Sequence, residues 1–142
     1  MEEAFLQLLS SAEGELLRRV ESACDKVDDD ASTRIERGLR SVLEWVDENP
    51  GVARVCIVEP TRSSKRVFER RQQTLERLAV LLRFNAPSDA RGAPELLEEL
   101  LVGGVCEVLG GRLSHSDSAR ALDLAPELTE LLIASYPPPP AA

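Results

Sequence analysis

The stretch that decides the fold covers residues 97–109 and reads LEELLVGGVCEVL. Its middle, residues 100–106, contains only apolar residues and glycine for about two helical turns. A helix that lacks a polar face must be covered on two sides. Gly103 and Gly104 carry no side chain and would let another backbone approach closely. The stretch therefore predicts a helix that packs against its own core and against a second partner.

Apolar patterns of helical spacing extend along the chain and predict an all-α fold. Aromatic residues make up only 4% of the sequence, and leucine, glutamate and arginine, which favour helices over strands, are abundant. Apolar residues recur at steps of three or four, as they do on one face of a helix. They predict about six helices, five long and one short, over residues 2–27, 32–48, 50–59, 64–84, 94–113 and 122–136.

Two of these helices leave alternatives open. Residues 55–58, VCIV, also have the composition of a strand, but Asn49 followed by Pro50 is typical of a helix start and favours a short buried helix. The second helix has two candidate caps: Asp30, or Thr33 in a capping box with Glu36.

Length and composition indicate one domain. A chain of 142 residues with 43% apolar residues can bury one core and leaves no room for two. Residues 1–136 are predicted to form this domain. Residues 137–142 begin with four prolines and predict an exposed, disordered polyproline tail.

The charge balance argues against unaided DNA binding, because the net charge is −8 and phosphate contacts need a surplus of lysine and arginine. The start, Met1 followed by two glutamates, does not have the pattern of a signal peptide. Residues 100–106, the longest uncharged apolar run, fall far short of the roughly 20 residues that span a bilayer. Three scattered cysteines do not suggest a disulfide framework. We therefore expect a cytoplasmic protein without a membrane partner.

Catalytic and metal-binding patterns are missing from the sequence. His115 is the only histidine and is predicted to lie in a polar loop, so neither a metal cluster nor a Ser-His-Asp arrangement can be built around it. There is no glycine-rich phosphate loop and no pair of catalytic carboxylates. The sequence predicts no enzyme activity, no catalytic residue, no metal site and no cofactor.

Four short strings follow one another in the order of the predicted helices. They are LRSVLEW at residues 39–45, NPGVARVC at 49–56, VGGVCEVL at 102–109, and APELTELL at 125–132 with Tyr136 behind it. As an ordered set they resemble the C-terminal domain of the TetR (tetracycline-repressor) family of transcription regulators. The resemblance covers nearly the whole chain, about residues 3–137.

The resemblance implies both a fold and a function. The first four helices would enclose a cavity for a small apolar or amphipathic ligand, and the last two would pair with their copies in a four-helix homodimer interface. Family members also carry an N-terminal helix-turn-helix domain. In this sequence, the chain at Met1 looks like the start of the helix that follows the helix-turn-helix domain in the family. DNA would therefore be a partner only if a longer chain or another subunit supplied the missing domain. The sequence thus resembles the ligand-sensing and dimerisation domain of a TetR-type regulator without its DNA-binding domain.

Candidate ligand-binding residues lie on the second, third and fourth predicted helices. A small-molecule site needs a mostly apolar lining with a few polar groups. Plain core packing is the alternative for the apolar candidates, and an ordinary carboxylate at a helix end is the alternative for the acidic one. The candidates are Trp45, Cys56, Glu59, Phe68, Leu75 and Ala79.

Candidate dimer-interface residues lie on the last two long helices. The apolar run of residues 100–106 supports a second partner independently of the resemblance. The candidates are Leu97, Leu101, Gly104, Val108, Leu124, Leu128, Leu131 and Leu132.

Five basic residues cluster near the start of the fourth helix. They are either a solvated helix face or a contact for an anionic ligand or another subunit. Positive charge near a helix N-terminus opposes the helix dipole, which gives the second interpretation some support. The cluster consists of Arg62, Lys65, Arg66, Arg70 and Arg71.

A second interpretation of the whole chain is an interaction protein that forms dimers without sensing a ligand. An apolar cavity lined from several helices favours the sensor, and a closed, fully packed core favours the interaction protein.

Overall fold

The computed structural model describes residues 2–25, 30–58, 64–87, 93–115 and 120–137, and the regular secondary structure of this part of the chain is entirely helical, with no strand. The predicted all-α fold of about six helices is confirmed. The helices are α1 (Glu2–Cys24), α2 (Ala31–Glu48), α3 (Pro50–Ala53), α4 (Lys65–Asn85), α5 (Leu97–His115) and α6 (Ala125–Ala134). A π-helical segment, Arg54–Val58, continues α3, and a 3₁₀ turn, Ala121–Leu124, precedes α6.

Side-chain caps fix where two helices begin. Asp30 caps α2, since its carboxylate accepts a hydrogen bond from the Thr33 amide at 2.8 Å, and this settles which of the two candidate caps is used. The Ser64 hydroxyl accepts a hydrogen bond from the Val67 amide at 3.3 Å and caps α4. Each side chain satisfies an amide that has no partner within its helix.

The core forms around α2, which contacts α1, α4 and α6, while α5 packs against α4 and the π-helical segment. Leu9, Leu43 and Leu109 are at most 1% exposed and come from three different helices. At Gly110 a Cβ atom would lie 3.2 Å from the Ile57 carbonyl oxygen. The lack of a side chain at this position therefore allows α5 to approach the π-helical segment closely.

None of the helices in the described ranges combines the length and the apolar character that a membrane crossing requires.

A carboxylate on α2 holds the start of the last helical segment. Asp47 accepts hydrogen bonds from the amides of Ala121 at 2.7 Å and Leu122 at 3.1 Å. These amides belong to the first turn of the 3₁₀ segment and have no helical partner of their own. The contact joins residues more than seventy positions apart and fixes the approach of α6 to α2.

We expect Asp47→Ala to lower the free energy of unfolding by about 1 to 2 kcal/mol, the usual cost of losing an acidic helix cap. Glu36→Ala is the matched control, because the Glu36 carboxylate pairs with Arg40 on the surface of the same helix and exposed pairs contribute at most about 1 kcal/mol. Urea unfolding of the two variants measures the difference. Equal losses would show that the Asp47 contact does not stabilise the fold.

Candidate ligand-binding site

A cavity of about 140 Å³ lies between α1, α2, α4, α5 and α6. It forms because the apolar stripes of these helices converge on one space without filling it. Ile57 of the π-helical segment and Leu132 of α6 contribute single side chains to the wall. Most of the remaining wall is aliphatic and includes Leu16, Val20, Leu39, Val42, Leu75, Leu78, Val102, Val105 and Leu109.

Four polar or charged side chains interrupt this apolar wall: Glu13, Arg71, Thr74 and Asn85. The amide of Asn85 is buried and donates to the Leu81 carbonyl at 2.8 Å, so it is held at the C-terminal end of α4. The other three lie where α1 and α4 face the cavity. An apolar cavity with a few polar groups has the character of a small-molecule site.

Glu13 is the most unusual of these groups, because only 4% of it is exposed to solvent. The Thr74 hydroxyl donates a hydrogen bond to its Oε2 atom, whereas Oε1 is buried and has no hydrogen-bond partner within the described residues. Burial raises the pKa of the Glu13 carboxyl to about 7, against the positive charge of Arg70, which lowers it. At neutral pH the group is therefore divided between its neutral and its ionised form.

Two arginines of the predicted basic cluster lie beside this wall. Arg70 donates to the Ser10 hydroxyl at 2.5 Å and attracts the carboxylate of Glu13. The charge of Arg71 acts on Cys106 across the cavity, where burial raises the pKa of the thiol and Arg71 opposes the rise. Arg71 thus belongs to the cavity wall, whereas Arg70 lies outside the wall and acts on Glu13.

The other members of the basic cluster face solvent or lie outside the described residues. Lys65 and Arg66 are exposed and pair with Glu69 and Glu3 at the surface. Arg62 lies outside the described residues. The cluster is therefore divided between a solvated helix start and the two arginines beside the cavity.

Trp45 forms part of the cavity wall and is only 3% exposed. Its indole Nε1 donates a hydrogen bond to the Ala12 carbonyl oxygen of α1 at 3.1 Å. The bond satisfies the polar atom of the ring and fixes its orientation. The fluorescence of this single tryptophan can consequently report on the cavity.

The structure brings together some of the predicted ligand residues. Trp45 and Leu75 line the cavity. Ala79 is buried outside the wall, and Phe68 is 42% exposed near the start of α4 and does not line the cavity. The side chain of Cys56 and the whole of Glu59 lie outside the described residues.

Sequence reasoning missed Glu13, Thr74 and Asn85. A signal for Glu13 was present, because it follows Leu9 by four residues and precedes Leu16 by three. This spacing places its side chain on the apolar stripe of α1. A carboxylate at such a position is either paired or functional, since burying an unpaired charge is costly.

The predicted dimer residues are divided between the surface and the core. On α5, Gly104 and Val108 are exposed, while Leu97 and Leu101 are partly buried against the core. On α6, Leu131 is 56% exposed. The remaining predicted residues pack inward: Leu124 partly buried, Leu128 and Leu132 buried.

A stripe of exposed residues, here called the α5 stripe, begins at Leu96 in the turn directly before α5 and continues along the helix at steps of four: Leu96, Leu100, Gly104 and Val108. Leu96 is 67% and Leu100 73% exposed. A Cβ atom built at Gly104 would meet nothing within 4 Å. This part of α5 thus presents leucine and valine side chains to solvent beside a position without a side chain.

Comparison with protein-family models, with curated proteins and with solved structures finds no match in any of the three. Within the described ranges, no group of three or more histidine, cysteine, aspartate or glutamate side chains is placed to hold a metal ion.

Proposed function

We propose that this chain is the ligand-sensing and dimerisation domain of a TetR-type transcription regulator. The observation that carries the proposal is the apolar cavity between five helices, with Glu13, Arg71 and Thr74 in its wall. The ordered strings of the sequence and the all-α fold support the family assignment. The ligand is small and apolar or amphipathic, because the wall offers few groups that form hydrogen bonds.

The size of the cavity supports a compact ligand. A cavity of about 150 Å³ lined by leucine, isoleucine and phenylalanine is known to bind benzene, and the cavity here measures about 140 Å³. A single aromatic or alicyclic ring therefore fits the observed shape, and a larger ligand requires the helices to move apart.

Sensing would act through the helices that the cavity separates. A ligand changes the equilibrium between two conformations only if it binds one of them more tightly. Filling the space favours the conformation in which α1 and α4 stand apart from α5. In a homodimer such a shift would change the spacing of two DNA-reading domains, which a longer chain or another subunit would supply.

A cytoplasmic location belongs to the same proposal. Cys24 and Cys106 are free thiols, and thiols persist in a reducing compartment.

The α5 stripe supports the homodimer and also favours the alternative function. Exposed leucines at regular spacing along one helix are typical of a protein–protein contact. A chain that dimerised through this stripe without binding a ligand would be an interaction protein. Ligand binding in the cavity distinguishes the two functions, because only the sensor requires it.

We expect toluene to raise the melting temperature of the protein and to change the fluorescence of Trp45. The gain in stability is about 2.7 kcal/mol when the ligand is present at 100 times its dissociation constant. Val105 lines the cavity, so the larger side chain of Val105→Phe should fill part of the cavity and abolish both effects. Val80→Phe makes the same change at a position that is 68% exposed and should preserve them. If neither toluene nor benzyl alcohol stabilises the parent protein or the Val80→Phe variant, the sensing function is wrong and the interaction protein takes its place.

A further inference from the structure

The hydrogen-bonding state of Glu13 restricts the ligand further. Oε2 accepts from Thr74, but Oε1 is buried without a partner in the described part of the chain. A buried acceptor without a donor is costly, and most such atoms in proteins are paired. Glu13 belongs to the cavity wall, but Oε1 itself is covered, so a ligand in the cavity supplies the donor when the carboxyl group turns toward it.

The charges around Glu13 argue against a charged ligand. Arg70 already attracts the carboxylate, whereas Arg71 lines the cavity and acts on Cys106. An ammonium group placed at Glu13 would lie near the guanidinium group of Arg70, whose charge acts on the same carboxyl. A carboxylate placed there would lie beside the carboxyl group of Glu13, and two like charges in an apolar space repel each other.

We propose that the cavity selects an uncharged ligand in which a compact ring carries one hydroxyl group, and that this hydroxyl donates its hydrogen bond to Oε1 of Glu13. The proposal rests on the ligand-sensing function above. Aromatic alcohols and phenols combine an uncharged compact ring with one hydroxyl group. The ring occupies the aliphatic part of the cavity, and the hydroxyl serves Glu13 in either protonation state, because it both donates and accepts.

The test compares benzyl alcohol with toluene, which has the ring but not the hydroxyl. Toluene is the more apolar compound, so the absolute affinities include a difference in hydration. The informative quantity is the ratio of the two dissociation constants in the parent protein and in variants, measured by Trp45 fluorescence and thermal shift. A ratio of this kind isolates the contact between the hydroxyl and the side chain.

Glu13→Leu removes the acceptor, and we expect the preference for benzyl alcohol relative to toluene to fall about tenfold, as for the loss of one hydrogen bond of about 1.4 kcal/mol. Glu13→Gln retains an acceptor oxygen and should keep part of the preference. Glu15→Leu is the matched control: Glu15 lies on the same helix with a side chain that is 53% exposed and not in the cavity wall, and the ratio should not change.

Each further outcome decides one of the two proposals. An unchanged ratio in Glu13→Leu, with toluene still bound, overturns the role of Glu13 and leaves the sensing function intact. Tighter binding of benzylamine or benzoate than of benzyl alcohol overturns the uncharged class. If neither toluene nor benzyl alcohol binds the parent protein, the sensing function fails and this inference fails with it.

Discussion

The variant Glu13→Gln is expected to gain stability relative to the parent protein as the pH rises, by about 2 kcal/mol between pH 5.5 and 8.5. The reason is the burial of Glu13, which raises the pKa of its carboxyl from 4.5 to about 7 in the folded protein. Between these two values the folded state retains a proton that the unfolded chain releases. The free energy of unfolding of the parent protein therefore falls by about 1.4 kcal/mol for each pH unit.

Because the pKa of Glu13 is raised in the folded protein, the free energy of unfolding falls as the pH rises. Well below pH 4.5 the carboxyl is protonated in both states and contributes no pH dependence. Above about pH 7 the folded protein must bury the carboxylate, and the loss is complete at about 3 kcal/mol. A glutamine is neutral at every pH and can still accept the Thr74 hydroxyl, so the variant avoids this loss.

Urea unfolding of both proteins across this pH range measures the effect. The range begins at pH 5.5 because the isoelectric point is about 4.8, and a protein near zero net charge tends to associate. Glu15→Gln is the control, since it removes an acidic residue at the surface of the same helix. A stability difference between Glu13→Gln and the parent that stays constant with pH would show that Glu13 titrates as an ordinary exposed carboxyl.

The sequence was sufficient to predict the helices, because their boundaries depend on local interactions. Asp30, Pro50 and Ser64 act within one turn of their own positions, and such signals can be read without the fold. The π-helical segment Arg54–Val58 was not predicted. Its geometry accompanies the close approach of α5 at Gly110, a contact between residues far apart in sequence.

The face of α5 that turns toward the core could not be predicted from the sequence, for a different reason. A stretch that is apolar all round predicts that two faces are covered, but it does not state which face turns inward. Leu97 and Leu101 face the core, whereas Leu96 and Leu100 lie one position earlier and face solvent. The same limit applies to α6, where Leu128 is buried and Leu131 is exposed. Only packing against α2 and α4 distinguishes these neighbours.

The cavity was predictable in character but only partly in its residues. Leu75 follows from its position on the apolar stripe of its helix, and Trp45 from its position beside the stripe of its own helix. Phe68 belongs to the stripe of α4 by spacing, yet it lies near the helix start and remains 42% exposed. Spacing gives the direction of a side chain around its helix, but whether a neighbour covers it depends on where the other helices end.

The variant Leu100→Glu is expected to convert a homodimer into a monomer. Leu100 is 73% exposed in the single chain, so the substitution leaves the core unchanged. In a dimer that pairs the α5 stripe with its copy, the change would bury two carboxylates in an apolar contact. A cost of about 3 kcal/mol weakens association about 100-fold.

Leu8→Glu supplies the control, because Leu8 on α1 is 67% exposed and lies outside the α5 stripe. Both variants should keep the helical circular dichroism of the parent, whereas Leu128→Glu would place a charge in the core and is unsuited to this test. Sedimentation equilibrium at micromolar concentration measures the mass of each protein. A parent that is already monomeric, or a Leu100→Glu variant that remains a dimer, would exclude the α5 stripe as the interface. Loss of the dimer in Leu100→Glu alone would place a second copy of the chain on the face that the stretch at residues 97–109 leaves exposed.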